Sequence, residues 1–143
     1  MSFLRSLDIS ASALTAQRTR MDIIAQNLAN ADTYKTESGE AYRRQLVVFE
    51  EKKTFESYLT ENKVKKNLGG VKITQVIEDE SPLTPVYDPD NPAADENGYI
   101  YMPNVDKTKE SIDAMAATNS YNANVTALNA LKAMASKALE IGK

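Results

Sequence analysis

The 143 residues include no Cys and no His, so any chemistry must come from carboxylates, lysine or tyrosine. Lack of His removes the commonest general base and the commonest zinc ligand. Lack of Cys removes disulfides, thiolate metal sites and thiol nucleophiles. The densest set of candidate ligands is Asp88-Pro89-Asp90-Asn91-Pro92, followed by Asp95-Glu96-Asn97-Gly98. An EF-hand loop needs an oxygen ligand at its fifth position, then Gly, then a Glu six further on. Here the fifth position is Pro92, so the segment reads as a turn-rich connection. Asp79 and Glu80 are adjacent carboxylates, but glycosidase chemistry, including an attack on cell-wall glycan, needs two carboxylates across a cleft. They read as solvated charge at a strand end. Lys63, Lys65 and Lys66 form a small basic run suited to a solvated loop, and Gly69-Gly70 lacks the Lys-Ser/Thr of a phosphate loop. No catalytic residue, metal ligand or cofactor site is expected, and the chain reads as no enzyme.

The formal net charge is −3, too mild to call for a nucleic-acid partner. Residues 1–38 sum to zero, residues 39–103 to −4 and residues 104–143 to +1. No stretch approaches the roughly 18 continuous apolar residues of a membrane span, so no membrane insertion is expected. The segment Met1 to Ser12 has one Arg and an interrupted apolar pattern, unlike a cleaved signal peptide.

Glycine and proline set the framework that would hold any of these groups. All five prolines and four of the five glycines lie between residues 39 and 103. Because these residues break regular structure, the flanks are free to be long helices and the middle is not. The expected class is α+β, with N- and C-terminal helices packing as a coiled coil around a small β-rich insertion. The expected divisions are 1–38, a rod-like helix and linker; 39–103, the β-rich insertion with a Pro/Asp-rich loop; and 104–143, the second helix. Leu4, Leu7, Ala11, Leu14, Arg18, Met21, Ala25 and Leu28 alternate spacings of three and four, predicting a helix from about Ser2 to Asn30 with a helix-packing stripe. Tyr121, Val125, Leu128, Leu131, Ala135 and Leu139 share a face of a second helix, from about Thr108 to Ile141. Leu7, Leu14, Met21 and Leu28 should pack against Val125, Leu128, Leu131 and Leu139 of the same or a neighbouring subunit. Between the helices, Tyr42–Glu50 and Val71–Glu78 are rich in β-branched and aromatic residues and read as strands. Tyr99–Met102 reads as a short third strand after the Asn97-Gly98 turn signal, and Ser81–Asn97 as a loop.

A helix of about 34 residues is roughly 50 Å long, whereas a globule of this size has a radius of gyration near 14–15 Å. The helices should therefore project, leaving apolar stripe in need of other subunits. Asparagine is used unusually often: Asn27-Leu28-Ala29-Asn30 closes the first helix, and Asn119, Asn122, Asn124 and Asn129 stud the last. Asn is a mediocre helix former. Either these amides bond across helices or to a turn, or they are simply exposed; Asn27, Asn30 and Asn124 are the best placed to bond.

The segment Asn27-Leu28-Ala29-Asn30-Ala31-Asp32-Thr33 resembles the signature of the bacterial flagellar rod and hook family. Val86-Tyr87-Asp88-Pro89-Asp90-Asn91-Pro92, Ala94-Asp95-Glu96-Asn97-Gly98-Tyr99 and Pro103-Asn104-Val105 resemble its proximal-rod branch, as does Ser120-Tyr121-Asn122-Ala123-Asn124-Val125 with the Ala138–Lys143 end. The chain departs from that pattern at Asp90-Asn91, where Gly-His is usual, and at Asn119, where Arg is usual. The resemblance implies a structural subunit of the rod, the axial drive shaft crossing the periplasm. It implies partners among other rod subunits, copies of itself, the flagellar export apparatus and the inner-membrane ring complex. It also implies export without a cleaved signal, helices packed as an inner layer and a β insertion facing outward.

Overall fold

A computed structural model describes residues 3–52 and 69–141. The described residues form α1 (Phe3–Ala29), β1 (Gln45–Glu51), β2 (Val71–Glu78), β3 (Thr84–Tyr87), β4 (Tyr99–Met102) and α2 (Lys107–Ile141). Long helices at the two ends enclose a small antiparallel β region, as the α+β reading expected. The Lys63, Lys65 and Lys66 run lies outside the described residues.

α1 is free of Gly and Pro throughout and ends where Asn30 turns the chain. There the Asn30 N–H donates to Gln26 O, and its side-chain amide donates to the same carbonyl, both at 3.0 Å. α2 begins one residue earlier than its apolar pattern suggested, because Asp106 caps it. Asp106 Oδ1 accepts from the backbone N–H of Thr108 at 2.8 Å and of Lys109 at 3.2 Å. That satisfies two of the donors a helix start leaves orphaned.

The helices run antiparallel: Asn27 near the end of α1 meets Glu110 in the first turn of α2, and Met21 Sδ accepts from the Thr118 hydroxyl. At 1.5 Å per residue, α1 spans about 40 Å and α2 about 52 Å. In this alignment α2 outruns the start of α1 by roughly two turns. Leu139, in that overhang, is accordingly 75% exposed.

Among the described residues the β region consists of two separate two-stranded ribbons. β1 pairs with β2 from Gln45↔Glu78 to Glu51↔Val71, with a register shift between Val48 and Phe49 that leaves Thr74 as the extra residue of a bulge. This ribbon lies along α1, held at one end by Ser12, whose Oγ accepts from Val71 N–H and donates to Ile9 O. The approach is so close that a Cβ on Gly70 would run into Ser12 Oγ, and Gly70 has φ +92°. Glycine is required there for both space and backbone.

Two expectations need correcting. The first strand starts at Gln45 rather than Tyr42, because Arg44 and the residues before it turn in to meet other partners. The stretch expected as a loop from Ser81 to Asn97 contains β3, which pairs with β4 from Thr84↔Met102 to Tyr87↔Tyr99. Pro85 argued against a strand, but a two-stranded ribbon is all edge, and an edge tolerates a missing N–H donor.

Candidate assembly site

The best-formed polar site lies where the end of α1, the entry to β1 and the start of α2 converge. Asn27 is 1% exposed, and every hydrogen-bonding position of its amide is used. Its Nδ2 donates to Gln45 O at 2.9 Å and to Glu110 Oε2 at 3.1 Å. Its Oδ1 accepts from Gln45 N–H at 2.9 Å and from the Tyr42 hydroxyl at 3.0 Å. The amide thus acts as one rung of a β ladder for Gln45 while gripping the partner helix.

Glu110 is fully buried, a placement that is costly for a carboxylate unless it is paired and hydrogen-bonded. It is both: Arg44 donates to its Oε1 at 2.6 Å, and Asn27 serves the other oxygen. Arg44 reaches on to Asp113 Oδ2 at 3.3 Å, and Asp113 Oδ1 accepts from Arg20 at 3.0 Å. Two guanidinium groups therefore offset two carboxylates. Arg44 backbone N–H also donates to Asn104 Oδ1 at 2.7 Å, while Asn104 Nδ2 donates to Asp79 O and Ser81 Oγ, both at 2.9 Å. One network thus joins both helices, the β1–β2 ribbon and the connection into β3.

Burial, then the nearby Glu110 and Glu78 carboxylates, push the Tyr42 hydroxyl above its ordinary pKa. Hydrogen bonds from Ser81, side chain first and then backbone, hold Asp79 below the usual carboxylate value, with Arg44 adding to the effect. A cleft of about 300 Å³ opens beside the network, lined in part by Arg20, Ile23, Leu46, Val47, Phe49 and Asp113. Its charged groups are already engaged with one another. Among the described residues no cluster of acidic side chains is arranged to hold a metal ion. The chemistry of the site is joining: it fixes where α2 leaves the β region relative to where α1 enters it.

Along the helices, the sequence-derived residues are placed as follows. Leu7, Leu14, Met21 and Leu28 are half-buried, and Leu4 is 69% exposed. The face of α1 turned most fully inward carries Ser10, Ala16, Ile24 and Asn27 instead, with Ala11, Arg18, Ala25 and Ala29 exposed. The Leu/Met stripe therefore runs along the edge of the intramolecular contact rather than down its centre. On α2, Tyr121, Val125, Leu128 and Leu131 are half-buried on the side that carries Glu110 and Ala117, whereas Leu139 lies beyond the reach of α1. Of the asparagines singled out, Asn27 bonds across to the other helix. Asn30 and Asn124 bond back to carbonyls four residues earlier in their own helices, and Asn30 also accepts from the Thr33 hydroxyl.

Sequence reasoning missed Glu110, Arg44, Tyr42, Asp113, Arg20 and Asn104. One signal was available for Glu110. It stands four and seven residues before Ala114 and Ala117, on the small-residue face of α2, where a solvated carboxylate is out of place.

The two helical parts of this network are also the parts that match known families. Residues 7–34 match the model described as flagella basal body rod protein, and residues 96–141 match the model for the C-terminal region of the flagellar basal body rod FlgEFG proteins. Asn27 lies in the first match and Glu110 in the second. Over whole chains, the flagellar basal-body rod protein FlgC of Bacillus subtilis is 49% identical across 150 aligned positions, covering all of both chains. That of Salmonella typhimurium is 42% identical, again over the full length of both, and that of Borreliella burgdorferi is 34% identical over 99% of this chain and 98% of its own. The chain therefore belongs to the FlgC family of flagellar basal-body rod proteins, structural subunits of the rod.

Proposed function

We propose that this rod subunit assembles with other rod subunits and with copies of itself through its two terminal helices. In this reading Leu4, Leu7, Leu14, Met21 and Leu28 of α1, with Tyr121, Val125, Leu128, Leu131 and Leu139 of α2, form the packing surface between subunits. The observation that carries it is the incomplete burial of this apolar set in a single chain. Leu4 and Leu139 are the extreme cases, both exposed at the open end of the helical pair. Apolar helix faces left half-covered are stabilised by neighbours in a symmetric or helical assembly. Side-by-side helices about 40–50 Å long supply axial stiffness for a shaft, and the near-neutral flanks limit accumulation of like charge as copies pack. The division into 1–38, 39–103 and 104–143 follows the same logic, with the termini as packing units and the middle as an outward-facing insertion. We further infer a proximal position in the rod, contact with the inner-membrane ring complex, passage through the flagellar export apparatus and residence where the rod crosses the periplasm. The absence of Cys suits such a route, since oxidation outside the cytoplasm cannot cross-link the chain.

The test is Leu4→Asp and Leu139→Asp, introduced separately. Both positions are exposed in the single chain, so the melting temperature of the purified protein should hold within about 2 °C, while rods fail to form and cells lose motility. Wild-type swimming from both variants would overturn the packing assignment.

A further inference from the structure

We propose that the solvent face of the β3–β4 ribbon is a docking surface for a cationic, arginine-presenting segment of a partner protein. The ribbon has two unlike faces. Ile100 is buried, and Val86 and Met102 are half-buried, on the side turned toward the molecule. On the other side the pairs Pro85↔Tyr101 and Tyr87↔Tyr99 set one proline and three tyrosines together. Tyr87, Tyr99 and Tyr101 are 64%, 42% and 46% exposed. Tyr87 and Tyr99 meet edge to face with ring centroids 5.3 Å apart, so Tyr87 is held over the ribbon rather than trailing in solvent. Gly98, at φ +79°, leaves room for this, since a Cβ there would press on the Tyr87 ring and Pro89.

Charge selects the occupant. From Ile73 to Asp106 the sequence holds eight acidic residues and no Lys or Arg. Asp88, Asp90, Asp95 and Glu96 occupy the loop joining β3 to β4, and among the described residues none of them takes part in an ion pair. A purely apolar partner would have to desolvate these carboxylates, and an anionic one would be repelled. A guanidinium suits both parts of the surface, because its plane stacks on an aromatic face while its N–H fork meets carboxylates. Tyr and Arg are also the residue types that most often dominate binding at protein interfaces. This surface lies apart from the helix faces, and it needs only the single chain.

The test titrates the full-length protein into a fluorescein-labelled peptide of alternating Arg and Gly and follows anisotropy. A peptide with Glu in place of Arg serves as control. The Arg peptide should bind, with affinity falling as salt is raised from about 50 to 150 mM, and the Glu peptide should not bind. Tyr87→Ala with Tyr101→Ala should weaken binding at least about fivefold, while Tyr87→Phe with Tyr101→Phe, which keeps the rings, should stay within about twofold of wild type. Asp90→Asn with Glu96→Gln should weaken binding and flatten its salt dependence. Circular dichroism of each variant checks that the fold is intact. The proposal is overturned if the Arg peptide does not bind, if the folded Tyr→Ala variant binds as tightly as wild type, or if the Glu peptide binds equally well.

Discussion

Replacing Asn27 by Ala should cost about 2–4 kcal/mol, a large share of the roughly 5–15 kcal/mol that stabilises a domain of this kind. The four bonds at this amide are worth about 1 kcal/mol each on average, and the one to the Glu110 carboxylate somewhat more. Water can recover part of that loss at Tyr42 and Gln45, which are only half-buried. It cannot readily do so at Glu110, which is fully buried and would lose the donor on its Oε2. Leaving such a group without a partner adds a desolvation penalty of about 1–3 kcal/mol, so the estimate sits above the value for one ordinary bond. Asn27→Asp makes a sharper comparison. It retains both acceptor bonds of Oδ1 but sets a second carboxylate where Nδ2 now stands, 3.1 Å from Glu110 Oε2. Two carboxylates that close cannot both ionise at low cost, so the folded pair binds a proton more tightly than the unfolded chain does. Relative to wild type, the Asp variant should therefore lose least below the ordinary carboxylate range and progressively more as pH rises toward neutral. The Ala variant should show a nearly constant deficit over the same range. Urea unfolding followed by circular dichroism at pH 4.5 and pH 7.5 measures both. A loss below about 0.5 kcal/mol for Ala, or an Asp variant as stable as wild type at neutral pH, would refute the view that this buried network holds the two helices to the β region.

Two further outcomes follow from the same geometry. Gly70→Ala should destabilise the protein by about 1–3 kcal/mol, read by urea unfolding, because the new Cβ meets Ser12 and the positive φ disfavours any side chain. Wild-type stability is expected to decline at both extremes of pH. With the Tyr42 pKa raised by folding, its contribution is present below the unfolded value near 10 and is lost as pH rises through the folded value. With the Asp79 pKa lowered, its contribution is present above the unfolded value near 3.8 and is lost as pH falls through the folded value. Tyr42→Phe should remove part of the alkaline loss, and Asp79→Asn part of the acid loss, in pH-dependent melting.

The helices were readable because their cause is local. With no Gly or Pro between Met1 and Ser38, and Gly142 the only one after Asn104, nothing in the backbone interrupts them. The second strand was equally plain from its β-branched run. β3 was not, since Pro85 and the surrounding Asp and Asn suit a turn, and only pairing with β4 makes those four residues a strand. The position of the buried face on α1 was missed for a different reason. Periodicity counts apolar residues, which favours Leu4, Leu7, Leu14, Met21 and Leu28. The inward face includes Asn27, with Arg20 beside it, and their partners Glu110 and Asp113 lie 83 and 93 residues away in the sequence. No local pattern reveals that Glu110 and Arg44 will neutralise each other, so the joining network is a product of the tertiary fold. The apolar stripe lies at the edge of the intramolecular contact, where a neighbouring subunit can reach it.

That placement can be tested with one labelling measurement, made clean by the absence of native cysteine. Single Leu4→Cys and Leu139→Cys variants, made in a strain that still swims, would be exposed to a small maleimide as free purified chains and again as rods in isolated basal bodies. If the helices form the packing surface, both thiols react readily in the free chain and at least about tenfold more slowly in the rod. Equal reactivity in the two states would mean that neighbours do not cover these residues, contradicting assembly through the helical faces.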